Sequence, residues 1–268
     1  MARADDPRSW SAEQGYEARV GRWSRRAAGA FLDWLALPTG GRWLDLGCGT
    51  GALTQAILER AAPRRVVGID PSGASLAYAH GQVSDGRAGF VRAAAEQLPF
   101  PPDAFDAAVS GLALNFMSDE AGAVGEMRKV VRPGGPVAAY VWDFAGEMQL
   151  MRRFWDAART IDADAVRMDQ GERFPICKPE PLATLLRGAG LDGVETRAID
   201  VPTVFVDFDD YWAPMGIGSG SIAGYCQSLS EAQRSALAEQ LKRSLPFAPD
   251  GSISLIARAW AVRGLVPR

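Results

Sequence analysis

Three glycines, Gly47, Gly49 and Gly51, separate an apolar run, "RWLDL", from a helix-forming run, "ALTQAILER". Few features constrain a fold more. The apolar run reads as a buried strand and the run after it as a helix, so the glycines occupy a tight strand-to-helix turn. Glycine tolerates positive φ there and has no Cβ to hold a ligand away from the backbone. The helix that follows presents unpaired N–H donors and partial positive charge at its start. The turn is therefore built for close approach by an anion or by the carboxylate end of an amino-acid-like molecule.

The pattern repeats downstream. "RRVVGID" reads as a second strand ending in an acid, and "PSGASLAYAHGQV" as a helix. "GFVRAAA" and "FDAAVSGLAL" are two more strands, "DEAGAVGEMRKVV" a helix, and "PVAAYVWDF" a fifth strand. Apolar strands alternating with helices predict an α/β fold, a parallel sheet covered on both faces. Its ligand crevice should lie outside the strands' carboxyl ends. Before this core, Trp10 to Leu37 has helical spacing. After it, "EMQLMRRFWDAARTI", "KPEPLATLLRGAG" and "SEAQRSALAEQLKRSL" read as helices, the last capped by Ser230. "GVETRAIDVPTVFVDFDDYW" alternates like a strand, and "SISLIARAWAVRG" closes the chain as another. With no repeat or low-complexity linker, the expectation is one domain over 1–264. Within it, 40–144 is the ligand-binding core, 1–39 N-terminal lid helices, 146–245 cap elements and 253–264 a closing strand. The last four residues, Leu-Val-Pro-Arg, read as the remnant of a removed tag, 265–268.

Composition narrows the function. A net charge of -3 with interspersed signs offers no basic stripe for nucleic acid. No run approaches the ~18 apolar residues of a membrane span, and "MARADDPRSW" lacks the apolar core of a secretion signal. Cys48, Cys177 and Cys226 are odd in number and form no CxxC pair, so neither zinc nor a disulfide framework is expected. Reduced thiols point to the cytoplasm. Asp207, Asp209 and Asp210 in "DFDDYW" are read as a turn rather than a metal site.

Two acids refine the ligand. The glycine spacing is GxGxG, one short of the dinucleotide GxGxxG, and no GxxxxGK[ST] is present. Asp45, just before the turn, would repel a pyrophosphate and pair with an ammonium group. Asp70 ends the second strand about 20 positions on, where an acid commonly accepts hydrogen bonds from ribose hydroxyls.

"LDLGCGTG", "GIDPS", "AAAEQLPFPPDAFDAAVSGLALNF" and "RKVVRPGGPVAAYVWDF" together resemble, in order and spacing, the class I S-adenosylmethionine-dependent methyltransferases. The likeness is strongest to the type 11, UbiE-like branch that acts on small molecules. The resemblance covers about Arg42 to Phe144. It implies a Rossmann-like, doubly wound seven-stranded sheet with an antiparallel last strand, and S-adenosyl-L-methionine as cofactor, converted to S-adenosyl-L-homocysteine. It places Gly47, Cys48 and Gly49 against the methionine part, with Asp45 receiving its ammonium group. Asp70 would hold the ribose, Pro71 and Ser72 would flank the adenine, and Ala95 and Glu96 would face the adenine edge. Ser110 to Leu112 would run past the methionine end. Tyr16, Arg22 or Trp23, from "YEARVGRWS", would lie near the carboxylate.

Methyl transfer from a sulfonium is an in-line displacement in which alignment does most of the work. A base is needed only where the acceptor must lose a proton. The sole histidine, His80, falls on the helix after the second strand, away from the expected crevice. The acceptor is then expected to need little deprotonation, as an amine, a thiol or an activated carbon would, or else to be assisted by Asp143, Asn115 or a tyrosine; Asn115 as the orienting group and Asp143 as a pocket-lining group are the catalytic candidates. The Met and aromatic residues of the cap suggest an apolar or aromatic small molecule. Two other classes share such a fold: an NAD(P)-dependent oxidoreductase, against which the GxGxG spacing, Asp45 and "AEQLPF" count, and a non-catalytic S-adenosylmethionine-binding module.

Overall fold

The computed structural model describes residues 20–218 and 220–268. Seven strands form one sheet: β1 (Arg42–Leu46), β2 (Arg65–Asp70), β3 (Ala88–Arg92), β4 (Ala107–Gly111), β5 (Pro136–Trp142), β6 (Asp192–Phe205) and β7 (Ile253–Leu265). Their order is β3-β2-β1-β4-β5-β7-β6. β1 pairs in parallel with β2 and β4, β2 with β3, and β4 with β5. β7 runs antiparallel to β5, with Pro136 opposite Leu265 and Trp142 opposite Ala259. The expected doubly wound sheet with an antiparallel last strand is thus the observed one. From β1 the chain winds first toward β2 and β3, then back to β4 on the other side. The reversal opens a crevice at the carboxyl ends of β1 and β4, the site that such a topology reserves for ligands.

The chain divides into two compact units. One holds 24–142, 176–199 and 259–268. Its core comes from strands buried on both faces, as parallel sheets require: Trp43, Leu44, Leu46, Val66, Ile69, Val109 and Val137 to Trp142 are all nearly inaccessible. Helices α2 (Ala52–Arg60), α3 (Gly73–Gln82), α4 (Glu120–Val130) and α7 (Pro179–Gly188) belong to it. On α4, Val124, Met127 and Val130 recur at helix spacing and are buried. Leu265 and Val266, set aside on sequence grounds, join this unit. Leu265 lies on β7, and Val266 exchanges backbone hydrogen bonds of 2.8 and 2.9 Å with Gly134 and Gly135.

The other unit holds residues 143–175 and 200–258 together with the first described residues, 20–23. It contains α5 (Gln149–Ile161), the short α6 (Gln170–Arg173) and α8 (Phe208–Trp212), α9 (Ser221–Ser228) and α10 (Glu231–Ser244). Ser230 caps α10 as its sequence suggests, in a reciprocal box with Gln233. Asp169, fully buried, accepts both Arg152 (2.6 Å) and Arg159 (2.7 Å) and also the Gly171 N–H (2.8 Å) that starts α6. The alternating run "DVPTVFVDFDDYW" is strand only to Phe205. Asp207 accepts the Asp210 N–H at 2.8 Å and starts α8 instead. Alternation of apolar residues cannot register a helix cap, and the Asp207 cap overrides it. Helix α1 (Arg22–Leu35) carries Ala27, Phe31 and Leu35 on its buried face. Among the described residues, no helix is long and apolar enough to cross a membrane.

Candidate active site

The turn after β1 has left-handed backbone at all three glycines: φ is 72° at Gly47, 51° at Gly49 and 87° at Gly51. The reasons differ from one glycine to the next. A Cβ on Gly47 would come within 2.5 Å of Ala113 Cβ, on the segment after β4. Gly47 is bare because two strand ends close on each other. A Cβ on Gly49 would meet nothing within 4 Å. Gly49 therefore faces open space, the cradle a ligand would fill. The Gly47 and Cys48 N–H groups both donate to the Ile69 carbonyl (2.8 and 2.9 Å), which pins the turn to the end of β2.

Asp45 is inaccessible. Its Oδ2 accepts the Thr54 hydroxyl at 2.6 Å, while its Oδ1 has no hydrogen-bond partner. Burial pushes the carboxyl up to about 7, against the hydroxyl and backbone hydrogen bonds of Thr54, with the Asp70 charge adding to the rise. A buried carboxylate with one open oxygen is costly unless a cation meets it. Asp70 sits at the tip of β2. Its Oδ2 accepts the Gly49 N–H (3.0 Å) and its Oδ1 the Ser72 N–H (2.8 Å). A carboxylate has about four acceptor sites, so capacity remains for two ribose hydroxyls. Ser72 also caps α3 through the Ser75 N–H, fixing Pro71 and Ser72 beside the acid.

On the far side of the crevice, Ser110 is fully buried and its hydroxyl has no partner. Leu112 holds φ 59°, a conformation rare for leucine, and donates its N–H to the Tyr140 carbonyl at 2.8 Å. Strain of this kind persists where surrounding structure fixes it, and it gathers at functional sites. Asn115, in the single 3-10 turn after β4, is 4% exposed, and its side-chain nitrogen has no partner. Three orphaned polar groups, on Asp45, Ser110 and Asn115, thus belong to the ends of β1 and β4. Buried polar groups are ordinarily satisfied. These three have the charge and donor character to meet the ammonium and carboxylate of an amino-acid head, so the residues present fit the cofactor.

The remaining candidates divide. Ala95 and Glu96 follow β3, and Glu96 accepts the Ser118 hydroxyl at 2.9 Å. Its own N–H and that hydroxyl hold its carboxyl below the usual range. The Cys48 thiol is driven upward by burial and by Asp45 and Asp70. It stays protonated and packs toward Gly68, where any Cβ would approach Cys48 Sγ at 2.9 Å and Phe90 at 2.8 Å. His80 is exposed and stacks edge-on against Phe90. Asp143 is buried, but its Oδ2 accepts the Glu147 N–H at 2.9 Å, within the turn that follows β5. Arg22 pairs with Asp210 at 3.1 Å and lies over the Trp23 and Phe205 rings. Tyr16 lies outside the described residues. Among the described residues no cluster of His, Cys, Asp and Glu could hold a metal.

Sequence reasoning missed Thr54. The signal was available: Thr54 shares the buried face of α2 with Ile57 and Leu58. A threonine on such a face needs a partner, and the acid ending β1 is within reach.

A buried acid at the tip of one strand and a second acid at the tip of the next fit the amino-acid head and the ribose of S-adenosylmethionine, the donor used by the methyltransferase class. A family described as a methyltransferase domain matches residues 44–139. A demethylmenaquinone methyltransferase of Roseiflexus castenholzii is 33% identical over 178 residues, which is 61% of this chain and 73% of that protein. A 2-phytyl-1,4-naphtoquinone methyltransferase of Thermosynechococcus vestitus is 38% identical over 117 residues, 42% of this chain and 51% of that one. The fold is also that of phosphoethanolamine N-methyltransferase 2 of Haemonchus contortus, at 15% identity and TM-score 0.61 over 99% of this chain and 61% of that one. This chain belongs to the class I S-adenosylmethionine-dependent methyltransferases, in their UbiE-like branch.

Proposed function

We propose that this enzyme transfers the methyl group to a carbon of a small aromatic acceptor of the quinone type, by in-line displacement. The acceptor class rests on relatives named for demethylmenaquinone, phytyl-naphthoquinone and ubiquinone/menaquinone substrates. The cofactor, when bound, supplies a methyl group already activated by its sulfonium. The observation that carries the cofactor reading is Asp45, buried with one carboxylate oxygen open beside the unobstructed Gly49.

In this reading the Asp45 carboxylate binds the ammonium group, and the Ser110 hydroxyl meets the polar end of the methionine part. Asp70 holds the ribose hydroxyls and Glu96 faces the adenine edge. The Asn115 amide, whose nitrogen lacks a partner, donates to an acceptor oxygen and sets the ring's angle to the methyl group. Alignment of that kind can contribute on the order of 7–11 kcal/mol. An electron-rich ring carbon needs no strong base at the moment of attack, in keeping with a site without histidine. The new carbon–carbon bond uses the ring's electron pair, the sulfur keeps the pair of the broken bond, and the ring proton leaves to water. Asp143 organises the turn after β5.

The test is a transfer assay with labelled cofactor and a reduced demethylated naphthoquinone. Label carried into the ring carbon supports the proposal. Label carried only into protein or RNA overturns it. Asp70→Ala should weaken cofactor binding by about 1–3 kcal/mol, the scale of hydrogen bonds to a charged group. Unchanged affinity in calorimetry would remove Asp70 from the ribose site.

A further inference from the structure

The Asp45 environment raises a question of its own. A carboxyl this deeply buried is pushed toward neutrality, yet only its ionised form attracts an ammonium group. Something must keep the ionised form within reach near neutral pH. The charged or titratable neighbours do not. Asp70 on β2 repels a second negative charge, the Cys48 thiol in the turn is itself neutral, and among the described residues no cation offsets them at Asp45. The opposing influence comes from α2. Thr54 supplies two favourable interactions, its hydroxyl at 2.6 Å from Oδ2 and its backbone N–H.

We propose that Thr54 is a positioning residue for cofactor capture: its hydroxyl engages one oxygen of Asp45 and thereby presents the other, ionised, to the ligand's ammonium group. This rests on the reading above that Asp45 receives that group. Three features single out the hydroxyl. Both side chains are fully buried, so no water competes for the bond. The bond runs to Oδ2 alone, which fixes the carboxylate's rotation and leaves Oδ1 as the open oxygen. And Thr54 lies on the first turn of α2, the helix that begins where Gly51 ends the ligand turn. The carboxylate and the glycine cradle are thereby set by one short element. Valine, which has the shape of threonine without the donor, would keep the packing and lose the function.

The experiment measures the dissociation constant of S-adenosylhomocysteine by calorimetry from pH 5.5 to 9, in the full chain, for wild type, Thr54→Val, Thr54→Ser and Asp45→Asn. The ligand's own α-amino group loses its proton near pH 8, so the acid limb of each profile is diagnostic. Wild-type affinity should rise about tenfold per pH unit up to about pH 7, where Asp45 ionises. In Thr54→Val that limb should move up by about one pH unit or more, with affinity at pH 7 lowered about tenfold. Thr54→Ser should restore the wild-type limb, and Asp45→Asn should abolish it. A wild-type limb that Asp45→Asn removes but Thr54→Val leaves in place overturns the role of Thr54 and spares that of Asp45. A flat wild-type profile, with Asp45→Asn binding as well as wild type, overturns both. Should the valine variant not fold, Thr54→Cys, a weak donor of similar size, must give an intermediate limb, and a wild-type limb from it is equally fatal.

Discussion

Asp45 shows how a single residue can trade stability for binding. Its carboxyl is raised from an ordinary 3.8 to about 7 in the folded chain. A group raised on folding contributes stability that is complete below its unfolded value and is lost as pH rises through its folded value. The cofactor-free enzyme should therefore lose stability between about pH 4 and pH 7 on account of this residue, by roughly 1.4 kcal/mol for each pH unit crossed. Asp45→Asn, which cannot ionise, should lack that loss. Melting curves of the cofactor-free proteins at pH 5 and pH 8 check this: the wild type should fall further than the variant, and parallel behaviour would contradict it. The acid itself was legible in the sequence, because a carboxylate before a glycine turn is chemically odd. Its partner Thr54 was not read, because a threonine inside an apolar helix pattern looks neutral until the buried strand end below it is known.

At the scale of the β1–α2 turn, glycines that look equivalent in sequence do different things. Gly47 is bare because Ala113 closes on it, and Gly49 because the space beside it is open. Gly47→Ala should destabilise the fold by roughly 1–3 kcal/mol through overpacking, with left-handed strain added. Gly49→Ala should cost the fold only about 1 kcal/mol of strain but put a methyl group where the cofactor lies. The two variants should separate in paired measurements. Gly47→Ala lowers the denaturant midpoint most, and Gly49→Ala lowers cofactor affinity most. The reverse order would mean that the open space is not the binding cradle. Helices and strands of the core were legible because their periods are regular and their ends are marked by Gly, Pro or an acid. The end of β6 was not, because Asp207 converts an alternating run into a helix through one cap. Arg22 and Asp210 show the same limit, since they lie 188 positions apart and no local pattern joins them.

Across the molecule, the described groups assigned to the cofactor, Asp45 to Gly49, Asp70 to Ser72, Ala95, Glu96 and Ser110 to Leu112, all belong to the unit holding residues 24–142; Arg22 and Trp23 fall in the other. The part of that unit from Arg42 to Trp142 was legible because its glycine turn and its two acids fall at strand ends marked by the sequence. The other unit holds the candidates Arg22, Trp23 and Asp143, and the rest of its sequence shows apolar helices without a ligand motif. Within it, Asp169 is buried and pairs with both Arg152 and Arg159. Removing one partner of a buried ion pair typically costs about 3–5 kcal/mol, and the loss here should fall below that because Arg152 keeps Asp156 and Arg159 keeps Glu172. Asp169→Asn should still reduce hydrogen-exchange protection in α5 and α6. The residues proposed to hold the cofactor lie elsewhere, so cofactor affinity should stay within about twofold of wild type. Saturating cofactor at 100 times its dissociation constant should in turn add about 2.7 kcal/mol of stability, seen as added protection at β1, β2, β4 and their turns. If Asp169→Asn instead cut affinity tenfold while α5 and α6 kept their protection, the division of labour between the two units would be wrong.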